Sequence, residues 1–98
     1  MTPPRLQAYA NRHGESGVTA WAIHGDTLSV EFGHGAVYVY AARELGAPTF
    51  DALCGSARAG RGLATMIGRD VGERYVARFD DRAQWAHAIA QATAPSKR

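Results

Sequence analysis

An α+β domain is the architecture expected of this 98-residue chain, and three features point to it. Residues 18–40 hold three short runs in which apolar and polar side chains alternate, separated by glycine turns. On either side, apolar residues recur at the three- and four-residue spacing of a helix face. The length fits one domain, 1–98, since folding units cluster near roughly 100–150 residues. The expected arrangement is an N-terminal helix, a three-stranded antiparallel meander with room for a fourth strand at its edge, and helices packed on one sheet face.

Residues 4–12 read as the first helix, with Thr2 placed to cap it, Pro3 and Pro4 in its first turn, and Leu6, Tyr9 and Ala10 on one face. His13-Gly14 ends it. Strands follow at 18–24, 27–32 and 36–40. The middle one is clearest: Leu28, Val30 and Phe32 alternate with Thr27, Ser29 and Glu31, the pattern of a strand buried on one face and wet on the other. Gly25-Asp26 and Gly33-His34-Gly35 supply the positive-φ residues of tight hairpins. Pro48 then opens a helix that buries Phe50, Leu53 and Cys54, with Gly55 and Gly60 limiting its length. A second short helix spans 63–71. In 73–79, Tyr75, Ala77 and Phe79 alternate with Arg74, Val76 and Arg78, which suits an edge strand. Asp80 and Asp81 provide the cap and N-terminal negative charge of a last helix, 80–92, striped by Trp85, Ala88, Ile89 and Ala92. Residues 95–98 are a tail.

Composition excludes several classes. With 46% hydrophobic and 20% charged residues, the chain lies outside the regime of disorder. No apolar run reaches the roughly 18–20 residues of a bilayer span, and Met1-Thr2-Pro3-Pro4-Arg5 is not the start of a secretory signal, so no membrane and a cytoplasmic location are expected. A lone Cys54 makes no internal disulfide. The net charge of +2 is below that of a dedicated nucleic-acid binder. Ten of the eleven cations are Arg, beside nineteen Ala and eleven Gly, a usage that GC-rich coding explains without any ligand.

Tests for chemistry are negative. Gly55-Ser-Ala-Arg-Ala-Gly60 has the spacing of a phosphate loop, but Arg61-Gly62 stands where Lys and then Ser or Thr are required. Gly60-Arg-Gly62 meets Thr65 where a dinucleotide fingerprint has its third glycine. His13, His24, His34, His87 and Cys54 form no metal-ligand spacing, and His24 and His34 fall at opposite ends of the meander. Cys54 reads as a small buried hydrophobe. No serine sits in a nucleophile elbow. Of Asp80 and Asp81, capping needs only one. Neither a cofactor nor a metal nor an enzymatic activity is expected.

Two features point to binding instead. Arg58, Arg61, Arg69, Arg74 and Arg78 fall in one stretch against Asp70 and Glu73, a local excess of three positive charges that suits the phosphates of RNA or an acidic partner. Tyr38 and Tyr40 share a face of the third strand, with Trp21 nearby, where aromatics serve either as core or as stacking platforms for unpaired bases. The rival expectation is a protein-interaction module, a homodimer or a small inhibitor-like partner of a larger complex, using a sheet edge or the Trp85 helix face.

The run Leu28-x-Val30-x-Phe32-x-x-Gly35-x-x-Tyr38-x-Tyr40 resembles the KTSC domain family, named for the C-terminal extension of some lysyl-tRNA synthetases and found also as small bacterial proteins. Phe50, Leu53, Gly60 and Ile67 follow at compatible spacings. The resemblance covers 17–70 and leaves 4–12 and 80–92 as terminal helical additions. It departs where the family carries a small-x-Ser-x-Gly segment followed by aromatics and an Asn, since Ser56-Ala-Arg58-Ala-Gly60 and then Gly62, Leu63 and Ala64 stand here. The resemblance implies a compact sheet-plus-helix domain, and the synthetase context implies RNA, specifically tRNA, as ligand. A shared fold does not fix function.

Overall fold

The computed structural model describes residues 5–10 and 17–93. The expected cap at Thr2, the stop at His13-Gly14 and the tail lie outside them. Five strands form one antiparallel sheet in sequential order: β1 (Gln7–Ala8), β2 (Val18–His24), β3 (Thr27–Phe32), β4 (Val37–Ala41) and β5 (Ala77–Phe79). Between β4 and β5 come α1 (Ala42–Leu45), α2 (Ala47–Ala59) and α3 (Leu63–Met66), the last running into a π-helical turn at Ile67–Val71; α4 (Arg82–Thr93) follows β5. This is the α+β class. No helix of the described residues is long and apolar enough to cross a membrane.

The meander forms as its alternation dictates. Leu28, Val30, Phe32, Tyr38 and Tyr40 project to one face, where α1, α2, α3 and the π turn bury Leu28, Val30 and Tyr40 with Leu45, Phe50, Leu53, Cys54, Leu63, Ile67 and Val71 and leave Phe32 and Tyr38 half-buried at the margin. His24 pairs with Thr27 across a two-residue turn, and Gly25 adopts φ 59° as that primed hairpin requires. Helix α2 carries Pro48 in its first turn and ends at Gly60, where Arg61 N–H bonds the Ser56 carbonyl and Gly60 N–H the Ala57 carbonyl. That pair of bonds is a Schellman cap, with Gly60 at φ 75°. Gly55 sits inside the helix and does not shorten it. Asp81 caps α4 by accepting the Gln84 N–H at 2.8 Å, while Asp80 pairs with Arg78 instead.

Three expectations need correction. Residues 5–10 carry no helix: Gln7 and Ala8 pair with Trp21 and Ala20 of β2. The three-residue separation of Leu6 and Tyr9, read as a helix face, instead sends them to opposite sides of the sheet, each into its own cluster. Second, the helices do not all lie on one face. Helix α4 covers the other, where Trp85 packs on Ala22, Val37 and Val39 and donates from Nε1 to Ser29 Oγ at 2.8 Å. Ser29, expected wet, is thereby 2% exposed, and the Trp85 surface offered for a protein partner is interior. Third, the edge strand is confined to Ala77–Phe79, so Tyr75 escapes its alternation and packs on the opposite face from Ala77 and Phe79. Strand β5 completes the sheet, and Trp85 of α4 is buried in the second core.

Candidate functional site: an aromatic groove beside the sheet edge

Where α1, α2 and α3 stop covering the sheet, an open groove of about 260 Å³ remains, lined by Phe32, His34, Tyr38, Tyr40, Ile67, Gly72, Glu73 and Tyr75. Its floor comes from the β3–β4 hairpin and its far wall from the π turn and the segment leading into β5. Pairing of β3 with β4 sets Val30 opposite Tyr38, which brings Phe32 and Tyr38 together at the hairpin end. Their rings meet edge-to-face at 5.4 Å and 86°. Tyr38 meets Tyr75 at 4.8 Å and 73°, and Tyr75 meets Tyr40 at 6.5 Å and 85°, so each ring sets its edge toward the next ring's face as their quadrupoles favour. His34 lies nearly parallel to Phe32, at 6.1 Å and 12°.

The two tyrosines named as stacking candidates differ. Tyr40 is 2% exposed with Tyr75 packed against it, and burial, with the neighbouring Tyr38 and Tyr75 hydroxyls, pushes its phenol up to about 12. A buried ring offers no face to a base, so Tyr40 supports the groove rather than stacking in it. Tyr38 is half-buried, and its hydroxyl accepts from Arg78 Nε at 3.2 Å. Arg78 Cζ stands 5.5 Å from the Tyr38 ring centroid, and Nη1 pairs with Asp80 at 2.8 Å. The partly exposed Trp21 lies two strands away on β2.

The arginines do not converge. Arg58 and Arg61 stand at the end of α2, where Gly60 abuts Ala10 beside β1, whereas Arg78 is on β5. Four strand spacings of about 4.8 Å, roughly 19 Å in all, separate those two edges. Arg69 forms a two-bond pair with Asp70 at 3.0 and 3.1 Å, and Arg74 donates to the Glu44 carbonyl at the end of α1, at 2.7 Å. Of the five, Arg78 alone is described in contact with a groove residue.

Phe32, His34, Glu73 and Tyr75 are groove residues that the sequence did not name as part of a binding surface. For Phe32 the signal was present, because its alternation with Leu28 and Val30 and the short Gly33–Gly35 turn put it on the Tyr38 face. Tyr75 gave none, since its contact with Tyr38 depends on how the intervening helices return the chain. Cys54 is buried, and that burial pushes its thiol up, opposite to what a nucleophile needs. Among the described residues no three His, Cys, Asp or Glu side chains gather to hold a metal ion. Compared with known proteins, the chain matches no family model, no curated sequence and no solved structure.

Proposed function

We propose that this chain is a non-catalytic binding module that takes an unpaired base of single-stranded RNA into the aromatic groove, with Arg78 beside it to meet the adjoining phosphate. The observation that carries the reading is the groove itself: Phe32, Tyr38 and Tyr75 line an open concavity at a sheet edge, next to a guanidinium that is 42% exposed. Aromatic platforms with a neighbouring cation bind unstacked bases, each contributing about 1–3 kcal/mol. The Tyr38-Val39-Tyr40 run that carries the KTSC resemblance contributes two of the lining residues, and the synthetase context of that family accords with RNA, including tRNA. Arg58, Arg61, Arg69 and Arg74 enter this reading only as a diffuse positive field, not as one patch.

Fluorescence anisotropy of a labelled seven-nucleotide uridine RNA, titrated at low and near-physiological salt, tests it. Binding should weaken as salt rises, with a slope of one or two counterions rather than several. Tyr75→Ala should raise Kd at least about fivefold, the loss of one stacked base, with circular dichroism confirming the fold. Arg78→Glu should weaken binding more than Arg58→Glu or Arg61→Glu. Equal effects from all three arginines, with none from Tyr75→Ala, would return the phosphate site to a dispersed surface and overturn the groove reading. No binding at low salt would overturn the RNA reading and leave the β5 edge, flanked by the exposed Val76, as the surface for a protein partner.

A further inference from the structure

Resting on the RNA reading above, we infer that the groove selects guanine, through the juxtaposition of a free carboxylate, Glu73, and an imidazole donor, His34, on its walls. The backbone N–H of Ala36 donates to His34 Nδ1 at 3.4 Å, which leaves Nε2 as the protonated nitrogen of the neutral ring. Nε2–H has no partner among the described residues. Glu73 lines the same groove, is exposed, and makes no hydrogen bond or ion pair among the described residues either, unlike Glu31 and Arg78. Glu31 is held by Arg82 and Thr19, and Arg78 by Tyr38 and Asp80.

The groove therefore offers one acceptor pair from its far wall and one donor from the hairpin turn. An ionised carboxylate accepts only, and its two oxygens suit two adjacent N–H donors. Guanine is the base whose Watson–Crick edge presents two neighbouring donors, N1–H and the N2 amino group, beside an acceptor, O6, for His34 Nε2–H. Adenine and cytosine bring one amino group next to a ring acceptor that would face the carboxylate unfavourably, and uracil brings a single N3–H. The volume of about 260 Å³ lies just below the range typical of ligand sites, about 300–1,000 Å³, and fits one base better than a whole nucleotide. The aromatic floor takes the face of the base while the wall reads its edge, so stacking supplies affinity and Glu73 supplies discrimination.

The test compares heptauridine with the same RNA carrying a central guanine, adenine, cytosine or inosine, alongside guanosine monophosphate as a free-nucleotide control. The guanine oligomer should bind at least about fivefold more tightly than the other three natural bases. Inosine, which lacks only the N2 amine, should fall between. Glu73→Gln should erase the ratio between guanine and uracil, a readout independent of overall affinity. Equal binding of all bases would overturn guanine selection and leave the RNA reading intact. Guanosine monophosphate binding as tightly as the oligomer would uphold guanine recognition and overturn RNA as its source. Binding of neither probe would overturn both.

Discussion

On one face of the sheet thirteen buried side chains, from Tyr9 after β1 through the π turn, form a continuous apolar cluster; on the other, only Ala22, Val37, Val39 and Trp85 are buried in theirs. The smaller face is closed with polar contacts. Trp85 donates to Ser29, and Arg82 on α4 makes a two-bond pair with Glu31, whose Oε1 also accepts from Thr19 at 2.6 Å. The larger face has the more buried apolar side chains, yet it is left open at the aromatic groove. Apolar area thus holds the helices to the sheet without sealing its margin, whereas on the other face a single helix adds directional contacts to a small cluster that Leu6, Ala77, Phe79 and Ile89 join half-buried. An open margin on an already stable face costs the fold little, which makes it a suitable place for a binding site.

Breaking the larger face should have the largest effect. Leu28→Ala, at a fully buried position, should cost about 3 kcal/mol, read as a shift in the urea midpoint. Gly60→Ala should cost about 2 kcal/mol. At φ 75° an alanine is strained by about 1–2 kcal/mol, and its methyl would run into Ala10, loosening β1 from the end of α2. A loss below about 1 kcal/mol would show that this junction is free to adjust. On the smaller face, Trp85→Phe should cost about 1–2 kcal/mol, since most of the packing remains but Ser29 loses its donor. A cost matching that of Leu28→Ala would mean that α4 holds its face by area after all.

The smallest effect sharpens the comparison through pH. The hydrogen bonds from Arg82 hold the Glu31 carboxyl below its ordinary value, outweighing the opposing effect of its partial burial, with Thr19 and the Arg82 charge adding to the lowering. A depressed native pKa adds stability that is complete above the unfolded value near 4.5 and is lost as pH falls through the native one. Arg82 is 57% exposed, so solvent screening keeps the contribution to about 1 kcal/mol or less. Glu31→Gln should therefore be less stable than the parent chain at pH 7, and the difference should narrow as pH falls below 4.5 and through the depressed native value. A difference that persists in acid would assign the loss to packing rather than charge.

These contrasts bear on what the sequence made legible. The alternation at 27–32, the glycine hairpins, Pro48 and the cap at Asp81 each act within a few residues, and each led to the right element. The segment around Leu6 and Tyr9 misled because a three-residue separation suits a helix face as well as a strand covered on both sides. Tyr9 is drawn to the core by a distant partner, its hydroxyl accepting the Leu63 N–H at 3.2 Å. Ser29 misled for the same reason, since its burial depends on a tryptophan on the last helix. Of the candidate site, Tyr38 and Arg78 could be named but not joined. Their meeting required β5 to pair with β4, in the register that sets Tyr38 opposite Arg78.

That register has a kinetic consequence. Strands β2, β3 and β4 are linked by short turns and need only local contacts, so they are expected to assemble early, whereas β5 docks on β4 after the helices between them have ordered. The groove straddles this divide, with Phe32 and Tyr38 on the early side and Gly72, Glu73 and Tyr75 on the late side. Amide hydrogens along β5, and that of Val76 bonded to the Val39 carbonyl, should therefore exchange with solvent faster than that of Val30 in mid-sheet. A ligand seated between the two sides would act as a clasp, slowing β5 exchange in proportion to its occupancy and leaving the central strands unaffected.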